Sequence, residues 1–222
     1  MSAHLASAPA GLLGGTFDPV HAGHCQLGRD AQSALGLARL DFVPAGQPWQ
    51  KAGTSAAAHR VAMLRLALAP ERGWNVDLRE VERAGPSYTI DTLLAVRAER
   101  GARLPLVWIL GYDQLRRLDT WHRWTELLDV AHLAYARRAG AEAALPEALA
   151  DFVAVRRGSA ADLARRPAGS IVEFAMQPVD CSATAIRRDL AAGNVAAAAP
   201  FLAPPVLAYI HSHQLYLAVH GH

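Results

Sequence analysis

Residues 14–24 read GGTFDPVHAGH, and this stretch lies where a buried strand gives way to a helix. The apolar pair Leu12 and Leu13 precedes it, and residues 25–37 carry apolar side chains at roughly helical spacing. Glycines at such a turn let backbone N–H groups approach a ligand, and the first turn of a helix presents unpaired N–H groups with a partial positive charge. The stretch therefore predicts a phosphate-binding turn.

Two histidines lie inside this stretch. His21 and His24 are three residues apart, so both fall on the same side of the first helical turn. There they can hydrogen-bond phosphoryl oxygens and stabilise charge without a covalent step. The alternative is a glycine turn that merely exposes two polar histidines, and the spacing of the histidines alone does not exclude it.

The whole stretch resembles the first signature of the nucleotidylyltransferase superfamily, and in particular that of the bacterial nicotinate-nucleotide adenylyltransferases. The resemblance implies adenylyl transfer from ATP to nicotinate mononucleotide, a step of NAD synthesis that forms nicotinate adenine dinucleotide and releases pyrophosphate. It implies catalytic contacts between both histidines and the α-phosphoryl group. It also implies ATP contacts from four residues that precede them: Gly14, Gly15, Thr16 and Phe17.

A second segment, DCSATAIRR at residues 180–188, opens another predicted helix. Ser182 or Thr184 can cap its first turn, and Arg187 lies one turn along. Two hydroxyls, free N–H groups and a guanidinium form an anion site suited to a triphosphate, although an ordinary capped helix has the same residues. The segment resembles the second signature of the superfamily, which implies ATP binding by all three residues and a catalytic role for Arg187. Cys181 replaces the isoleucine or valine of that signature, and we expect its side chain to face the core with little functional effect.

The run PSYT at residues 86–89 precedes a further predicted helix, with Thr89 as the expected N-cap. From the residues alone this is a helix start and nothing more. The run resembles a motif of the nicotinate-nucleotide branch. That resemblance implies that Tyr88 and Thr89 bind nicotinate mononucleotide, with backbone N–H groups facing its carboxylate.

Gly111 and Asp113 follow a predicted apolar strand, where the glycine permits close approach of a ligand and the carboxylate can accept from ribose hydroxyls. Trp121 comes soon after, and its indole can stack on a pyridinium ring or pack beneath a helix. The run resembles the family's Gly-x-Asp followed by Thr-Trp. The resemblance implies ATP binding by Gly111 and Asp113 and favours stacking of Trp121 on nicotinate mononucleotide, while Trp124 is assigned to the core.

Two basic residues complete the predicted acceptor site. Lys51 is the only lysine among the 22 basic residues, and it lies in a loop after a predicted strand, where a compact ammonium suits a phosphate. In that loop Gln50 replaces the histidine usual in the family, which puts an acid–base role at this position in doubt. Arg138 follows another predicted strand. The resemblance implies that it contacts a phosphate, and the alternative is a solvated pair with Arg137.

Short apolar runs alternate with helical patterns along the chain. The runs predict strands at 11–13, 40–44, 74–76, 106–110, 132–136 and 171–174. Helices are predicted at 22–36, 57–69, 89–100, 124–129, 183–192 and 205–212, with another around 145–152. This order predicts an α/β fold, a Rossmann-like doubly wound parallel sheet in a single domain with a C-terminal helical part. We expect a loose leader over residues 1–10 and one nucleotidylyltransferase domain over 11–222, with ligands beyond the carboxyl ends of the strands.

Composition narrows the class of protein. With 222 residues and 52% hydrophobic content, the chain can bury a sizeable core. A net charge of +2 is too small to indicate a nucleic-acid partner, and no apolar run is long enough to predict a membrane span. Two cysteines, Cys25 and Cys181, favour a reduced cytoplasm over a disulfide scaffold.

No protein ligand to a metal is predicted, and the histidines at 211, 213, 220 and 222 are given no role. Mg²⁺ is expected to accompany ATP, held by phosphate oxygens and water. Two alternatives stay open at this point. One is a superfamily enzyme with another acceptor, such as nicotinamide mononucleotide or phosphopantetheine, and the other is a non-catalytic nucleotide-binding protein. The sequence leaves the oligomeric state undecided.

Overall fold

The computed structural model describes residues 8–46, 54–137 and 144–217. Six parallel strands form one sheet in the order β3-β2-β1-β4-β5-β6. Their bounds are β1 Ala10–Gly15, β2 Arg39–Pro44, β3 Trp74–Val76, β4 Leu106–Gly111, β5 His132–Arg137 and β6 Ile171–Ala175. All six predicted strands are present, and the predicted doubly wound parallel sheet is confirmed. Ala10, the last residue of the predicted leader, begins β1 and is buried.

Helices cover both faces of the sheet. They are α1 Ala22–Leu35, α2 Ala57–Leu68, α3 Arg79–Glu82, α4 Thr89–Arg100, α5 Tyr112–Leu115, α6 Leu127–Val130, α7 Glu147–Ala154, α8 Ala160–Leu163, α9 Ala183–Ala191, α10 Val195–Ala198 and α11 Pro204–Ser212. The predicted helix at 124–129 is a 3₁₀ turn, Trp124–Glu126, that runs into α6. Nowhere in the described ranges does a helix reach the length and apolar character that a membrane span needs.

Strand β1 shows how the sheet separates two cores. Successive side chains of a strand point to opposite faces. Leu13 accordingly packs with the apolar residues of α1, α2, α9 and α11, whereas Leu12 packs with those of α4, α6 and α7. Both leucines are buried, as expected for a central parallel strand with helices on each side.

The strand order reverses between β1 and β4. From β1 the chain winds through β2 and β3 to one edge, and from β4 it winds through β5 and β6 to the other. Open sheets of this kind bind ligands outside the carboxyl ends of the strands at such a reversal. The turn at residues 14–24 leaves β1 at this point, and Gly111 ends β4 beside it.

Gly14 has a packing role that the sequence pattern does not reveal. A Cβ at this position would lie 2.3 Å from Cζ2 and 2.7 Å from Cη2 of Trp108 on β4. The indole therefore occupies the volume that a side chain would need. Contact between β1 and β4 therefore requires a residue without a side chain at position 14, independently of any ligand at the turn.

We expect Gly14→Ala to lower the free energy of unfolding by about 1–3 kcal/mol, since overpacking forces the indole or the strand to shift. In a Trp108→Phe background the penalty should be smaller by at least about 0.5 kcal/mol, because the smaller ring vacates that volume. Urea unfolding of the four proteins, followed by circular dichroism, measures both terms. An equal penalty in the two backgrounds would contradict the assignment of the clash to Trp108.

Candidate functional site

The first functional element is the N-terminus of α1, where two histidine rings lie together. His21 is the N-cap residue, and its backbone N–H donates to Nδ1 of His24 at 3.3 Å. The backbone N–H of His24 donates to the main-chain carbonyl of His21 at 2.9 Å. The ring centroids are 3.8 Å apart and stacked. Because Nδ1 of His24 accepts, the N–H group of the neutral ring is the one at Nε2.

The side chain of Phe17 packs against this pair of histidines. Its backbone has φ 52°, its side chain is 1% exposed, and its ring meets that of His24 edge-on at 5.0 Å. The resemblance assigned Phe17 to ATP, but the side chain lies in the core, so only its main chain is left to face a nucleotide. Gly15 and Thr16 precede it, and both are partly exposed at the end of β1.

The second functional element is the N-terminus of α9. Ser182 is its N-cap and accepts from the backbone N–H of Ala185 at 3.1 Å, as expected for a capped helix. Thr184 lies exposed in the first turn. Arg187 follows one turn later, and its Nη2 donates to Oγ1 of Thr184 at 3.4 Å. The hydroxyl groups and the guanidinium thus gather at one helix end.

The two elements meet directly, although some 160 residues separate them in the chain. Nη1 of Arg187 donates to the main-chain carbonyl of Asp18 at 2.6 Å. Sγ of Cys181 lies 3.3 Å from Nδ1 of His21. The expectation that Cys181 faces the core is therefore wrong, because its side chain is half-buried against a predicted catalytic residue. Cys25, by contrast, is buried among apolar residues, and burial raises the pKa of its thiol to about 11.

Asp18 joins two further segments to this junction. The carboxylate is buried, and its Oδ1 accepts from the hydroxyl of Tyr216 at 2.5 Å while its Oδ2 accepts from the backbone N–H of Ser55 at 3.1 Å. Burial, and then the hydrogen bond to Asp18, raises the pKa of Tyr216 well above its ordinary value of about 10. Tyr216 therefore stays a neutral donor, and it anchors the end of the described chain to the turn after β1.

Arg60 is a second residue that the sequence analysis missed. It is 1% exposed, yet its guanidinium donates to the carbonyls of Ser55, Thr16, Ala45 and Gly46 at 2.7–3.2 Å. Burial lowers its pKa, and Asp18 opposes that effect. The side chain fastens the turn after β1 to the loop after β2. In the sequence nothing distinguishes it from the exposed Arg65 one turn later.

Two of the predicted acceptor-binding residues, Tyr88 and Trp121, pack on the other face of the sheet. Helix α4 spans Thr89–Arg100 as predicted, with Asp91 in its first turn, but its N-cap is Tyr88 and not Thr89. The ring of Tyr88 lies 4.4 Å from that of His122, next to Trp121. Tyr88 and Trp121 are both half-buried against the core of that face, as is Trp124, which contacts Phe152 edge-on.

Hydrogen bonds connect the PSYT run to the loop after β2. Oγ of Ser87 accepts from the backbone N–H of Gly46 at 3.0 Å, and the buried Glu80 accepts from Thr92 at 2.6 Å. Burial raises the pKa of Glu80, and hydrogen bonds from Thr92 and Ser87 oppose this. The loop that leads toward Lys51 is thus held at its start against the predicted acceptor site. Lys51 itself lies outside the described residues, as does Arg138.

Gly111 ends β4 and serves as the N-cap of α5. Asp113 is exposed, with its Oδ1 folded back so that a Cβ on Gly111 would lie 2.6 Å away. Oδ2 of Asp113 accepts from the Gln114 amide at 3.0 Å. The carboxylate is accessible at the carboxyl edge of the sheet, in the helix α5 that follows β4, the strand next to β1.

Within the described ranges, no group of three or more histidine, cysteine, aspartate or glutamate side chains is arranged to hold a metal ion. His211 and His213 lie at the end of α11. The ring of His213 stacks on Tyr209 at 3.9 Å, away from the junction of α1 and α9.

We expect Tyr216→Phe to lower the free energy of unfolding by about 1–3 kcal/mol, because a buried carboxylate loses a donor. Tyr209→Phe is the matched control. Its hydroxyl contacts His59 at 3.0 Å in a partly exposed position, so its loss should cost less than about 1 kcal/mol. Urea unfolding measures both. Equal losses in the two variants would contradict the special role of the Tyr216–Asp18 bond.

A family model described as cytidylyltransferase-like matches residues 12–189, a range that begins in β1 and ends within α9. The chain is 49% identical over 209 residues to a "Probable nicotinate-nucleotide adenylyltransferase" of Laribacter hongkongensis, covering 93% of each chain. It is 42% identical over 215 residues to a protein of the same name from Dechloromonas aromatica, covering 95% of this chain and 98% of the relative.

Among solved structures, the fold is similar to that of the nicotinic acid mononucleotide adenylyltransferase of Plasmodium falciparum. That protein was solved in complex with APC and, separately, with NaAD. The TM-score is 0.71 for both complexes, at 14% and 15% identity, with 94% of this chain and 97% of the other covered. From the extent of the family model and the identity to its relatives, the chain belongs to the nicotinate-nucleotide adenylyltransferases, a family of nucleotidyltransferase enzymes.

Proposed function

We propose that this protein transfers the adenylyl group of ATP to nicotinate mononucleotide, forming nicotinate adenine dinucleotide and pyrophosphate in NAD synthesis. The observation that carries the proposal is the junction of α1 and α9. It brings two helix N-termini, two histidines and an arginine to the point where the strand order reverses. A polyphosphate needs this combination of N–H donors and positive charge.

The proposed reaction needs no nucleophile from the protein. The phosphate of nicotinate mononucleotide attacks the α-phosphorus of ATP in line and the bond to the bridging oxygen of pyrophosphate breaks. Rate acceleration then rests on positioning and on stabilisation of charge. We assign His21 and His24 to the α-phosphoryl group and its bridging oxygen, and Ser182, Thr184 and Arg187 to the β- and γ-phosphates.

The arrangement of α1 supports this assignment for His24. Its Nδ1 accepts from the His21 backbone N–H, and we assign the N–H at Nε2 to an oxygen that gains charge. Such a donor is most effective when its direction is set before the substrate binds. The Phe17 ring, packed edge-on beneath His24, restricts movement of the imidazole.

Mg²⁺ belongs to the proposal as the partner of ATP. Magnesium usually keeps several waters and is bound through substrate phosphates and one or two carboxylates. The Asp18 carboxylate near the junction is buried and already accepts from Tyr216 and Ser55, so we assign the ion to the phosphate oxygens and water. When bound, the ion neutralises phosphate charge, and we assign it no ligand among the described residues.

We assign the acceptor to the face formed by Tyr88, Thr89 and Trp121. The N-terminus of the 12-residue helix α4 points a partial positive charge at a ligand there, which favours a carboxylate over a neutral amide. A helix terminus contributes about 0.3–1 kcal/mol, a discrimination of only about two- to five-fold. A strict preference for nicotinate over nicotinamide mononucleotide therefore needs direct hydrogen bonds to the carboxylate as well. Lys51 and Arg138 remain predicted phosphate contacts.

The substrate test is a pyrophosphate-release assay with ATP and Mg²⁺, in which each acceptor is offered in turn. We expect turnover with nicotinate mononucleotide and much slower turnover with nicotinamide mononucleotide or phosphopantetheine. A reaction without acceptor controls for ATP hydrolysis, and mass spectrometry identifies the dinucleotide. Pyrophosphate release with none of the three acceptors would favour the alternative of a non-catalytic nucleotide-binding protein.

His24→Ala should lower kcat by about 10²–10³, the usual cost of removing one well-placed donor to developing charge. The fold should be retained, as judged by circular dichroism. His211→Ala, which removes an exposed histidine at the end of α11, is the matched control and should leave kcat unchanged. Turnover of His24→Ala close to that of the unmodified protein would contradict the role given to this ring.

A further inference from the structure

Glu80 is a buried carboxylate to which the proposed reaction gives no role. It lies in the one-turn helix α3 and is 5% exposed. Burial of a charge costs free energy unless hydrogen bonds and opposite charge compensate it. Oε1 of Glu80 accepts from the hydroxyl of Thr92 at 2.6 Å, and Thr92 is itself fully buried on α4. The carboxylate therefore connects α3 to α4 inside the protein.

A second hydroxyl that reaches Glu80 belongs to Ser87 in the PSYT run. Burial raises the pKa of Glu80, and hydrogen bonds from Thr92 and Ser87 to its carboxylate act against that rise. Oγ of Ser87 also accepts from the backbone N–H of Gly46 at 3.0 Å. Because a hydroxyl has one proton to donate, the proton of Ser87 is directed to Glu80 while a lone pair faces Gly46.

Thr92 is arranged in the same way as Ser87. Its hydroxyl accepts from Nη1 of Arg83 at 3.5 Å and donates to Glu80. An ionised carboxylate accepts hydrogen bonds and donates none, so both hydroxyls direct their protons toward it. Gly46 also lies directly against α3, where a Cβ at position 46 would overlap the main-chain carbonyl oxygen of Glu80. The carboxylate is thus the common acceptor of two hydroxyls, and each of these accepts from another segment.

We propose that Glu80 is a positioning residue for the acceptor. It directs the hydroxyls of Ser87 and Thr92 and thereby fixes the start of α4 against the loop after β2. Ser87 directly precedes Tyr88, the N-cap of α4, and the backbone N–H of Thr92 donates to the carbonyl of Tyr88 at 3.2 Å. The two hydroxyl residues therefore flank Tyr88 and Thr89, to which the acceptor is assigned. The kinetic consequence rests on the proposed function, whereas the hydrogen bonds do not.

The contacts that support this inference lie on the acceptor side of the site. They involve α3, α4 and the start of the loop after β2, whereas ATP is assigned to the junction of α1 and α9. Loss of the carboxylate should therefore weaken binding of the acceptor more than binding of ATP. A general loss of stability would instead affect both substrates alike.

Steady-state kinetics of the full chain, with each substrate varied in turn, test this expectation. Glu80→Ala should raise KM for nicotinate mononucleotide about five- to twenty-fold, with KM for ATP changed by less than about two-fold. Glu80→Gln retains the shape of the side chain and one acceptor oxygen, so it should restore most of the loss. Glu82→Ala, which removes an exposed carboxylate from the same helix, is the matched control and should leave both constants unchanged.

Hydrogen exchange of the Gly46 backbone amide, followed by NMR without substrate, measures the same connection independently of activity. Exchange should be at least about ten-fold faster in Glu80→Ala than in the unmodified protein, and unchanged in Glu82→Ala. Ser87→Ala should also accelerate it, because the acceptor of the Gly46 N–H is removed. Adding Glu80→Ala to Ser87→Ala should change the rate little further, since both substitutions break one connection.

Three results would overturn the inference: an unchanged KM for nicotinate mononucleotide in Glu80→Ala, an equal rise of KM for both substrates, or Gly46 exchange that does not respond to the substitution. If Glu80→Ala does not fold, Glu80→Gln decides, and it should raise KM for nicotinate mononucleotide alone by about two- to three-fold. An unmodified protein without transferase activity, in which Gly46 exchange still depends on Glu80, would refute the proposed function and leave the connection made by Glu80 standing.

Discussion

The hydrogen bond from Arg187 to the main-chain carbonyl of Asp18 is the contact on which the site depends. It ties helix α9 to the turn that leaves β1 and, with the contact of Cys181 to His21, holds the N-termini of α1 and α9 together. A guanidinium suits this connection because one of its amino groups can donate to a carbonyl while the other donates to a second acceptor. Here the second amino group of Arg187 reaches Thr184.

Hydrogen bonds to Asp18 connect further segments of the chain to the same turn. Its carboxylate holds Tyr216 and the backbone of Ser55, while Arg60 binds carbonyls on both sides of the gap between the turn and the loop after β2. An unpaired buried carboxylate or guanidinium is costly, so each of these groups requires the others. The turn at residues 14–24 is therefore held by side chains from α2, α9 and the end of the described chain.

The two halves of the site are held by different interactions. The nucleotide half relies on buried charged groups and on stacking of His21 with His24. In the acceptor half, Tyr88 and Trp121 rest on the apolar core, and Ser87 joins the PSYT run to the loop after β2. Since that loop also starts at the carbonyls bound by Arg60, a single segment touches both halves.

Local patterns were enough to predict all six strands, the longer helices, the parallel sheet and the two helix ends that carry the signatures. They were enough because the spacing of apolar residues and the identity of helix-capping residues are local: both can be read from positions close together in the chain. The one-turn helices α3, α5, α8 and α10 escaped prediction, since four residues have no measurable period. Only the tertiary structure showed that Arg60 is buried while Arg65 is not, that Trp108 requires a glycine at position 14, and that Cys181 faces His21 instead of the core. Each of these depends on which distant segments pack together, and a contact across 160 residues leaves no trace in the spacing of either partner.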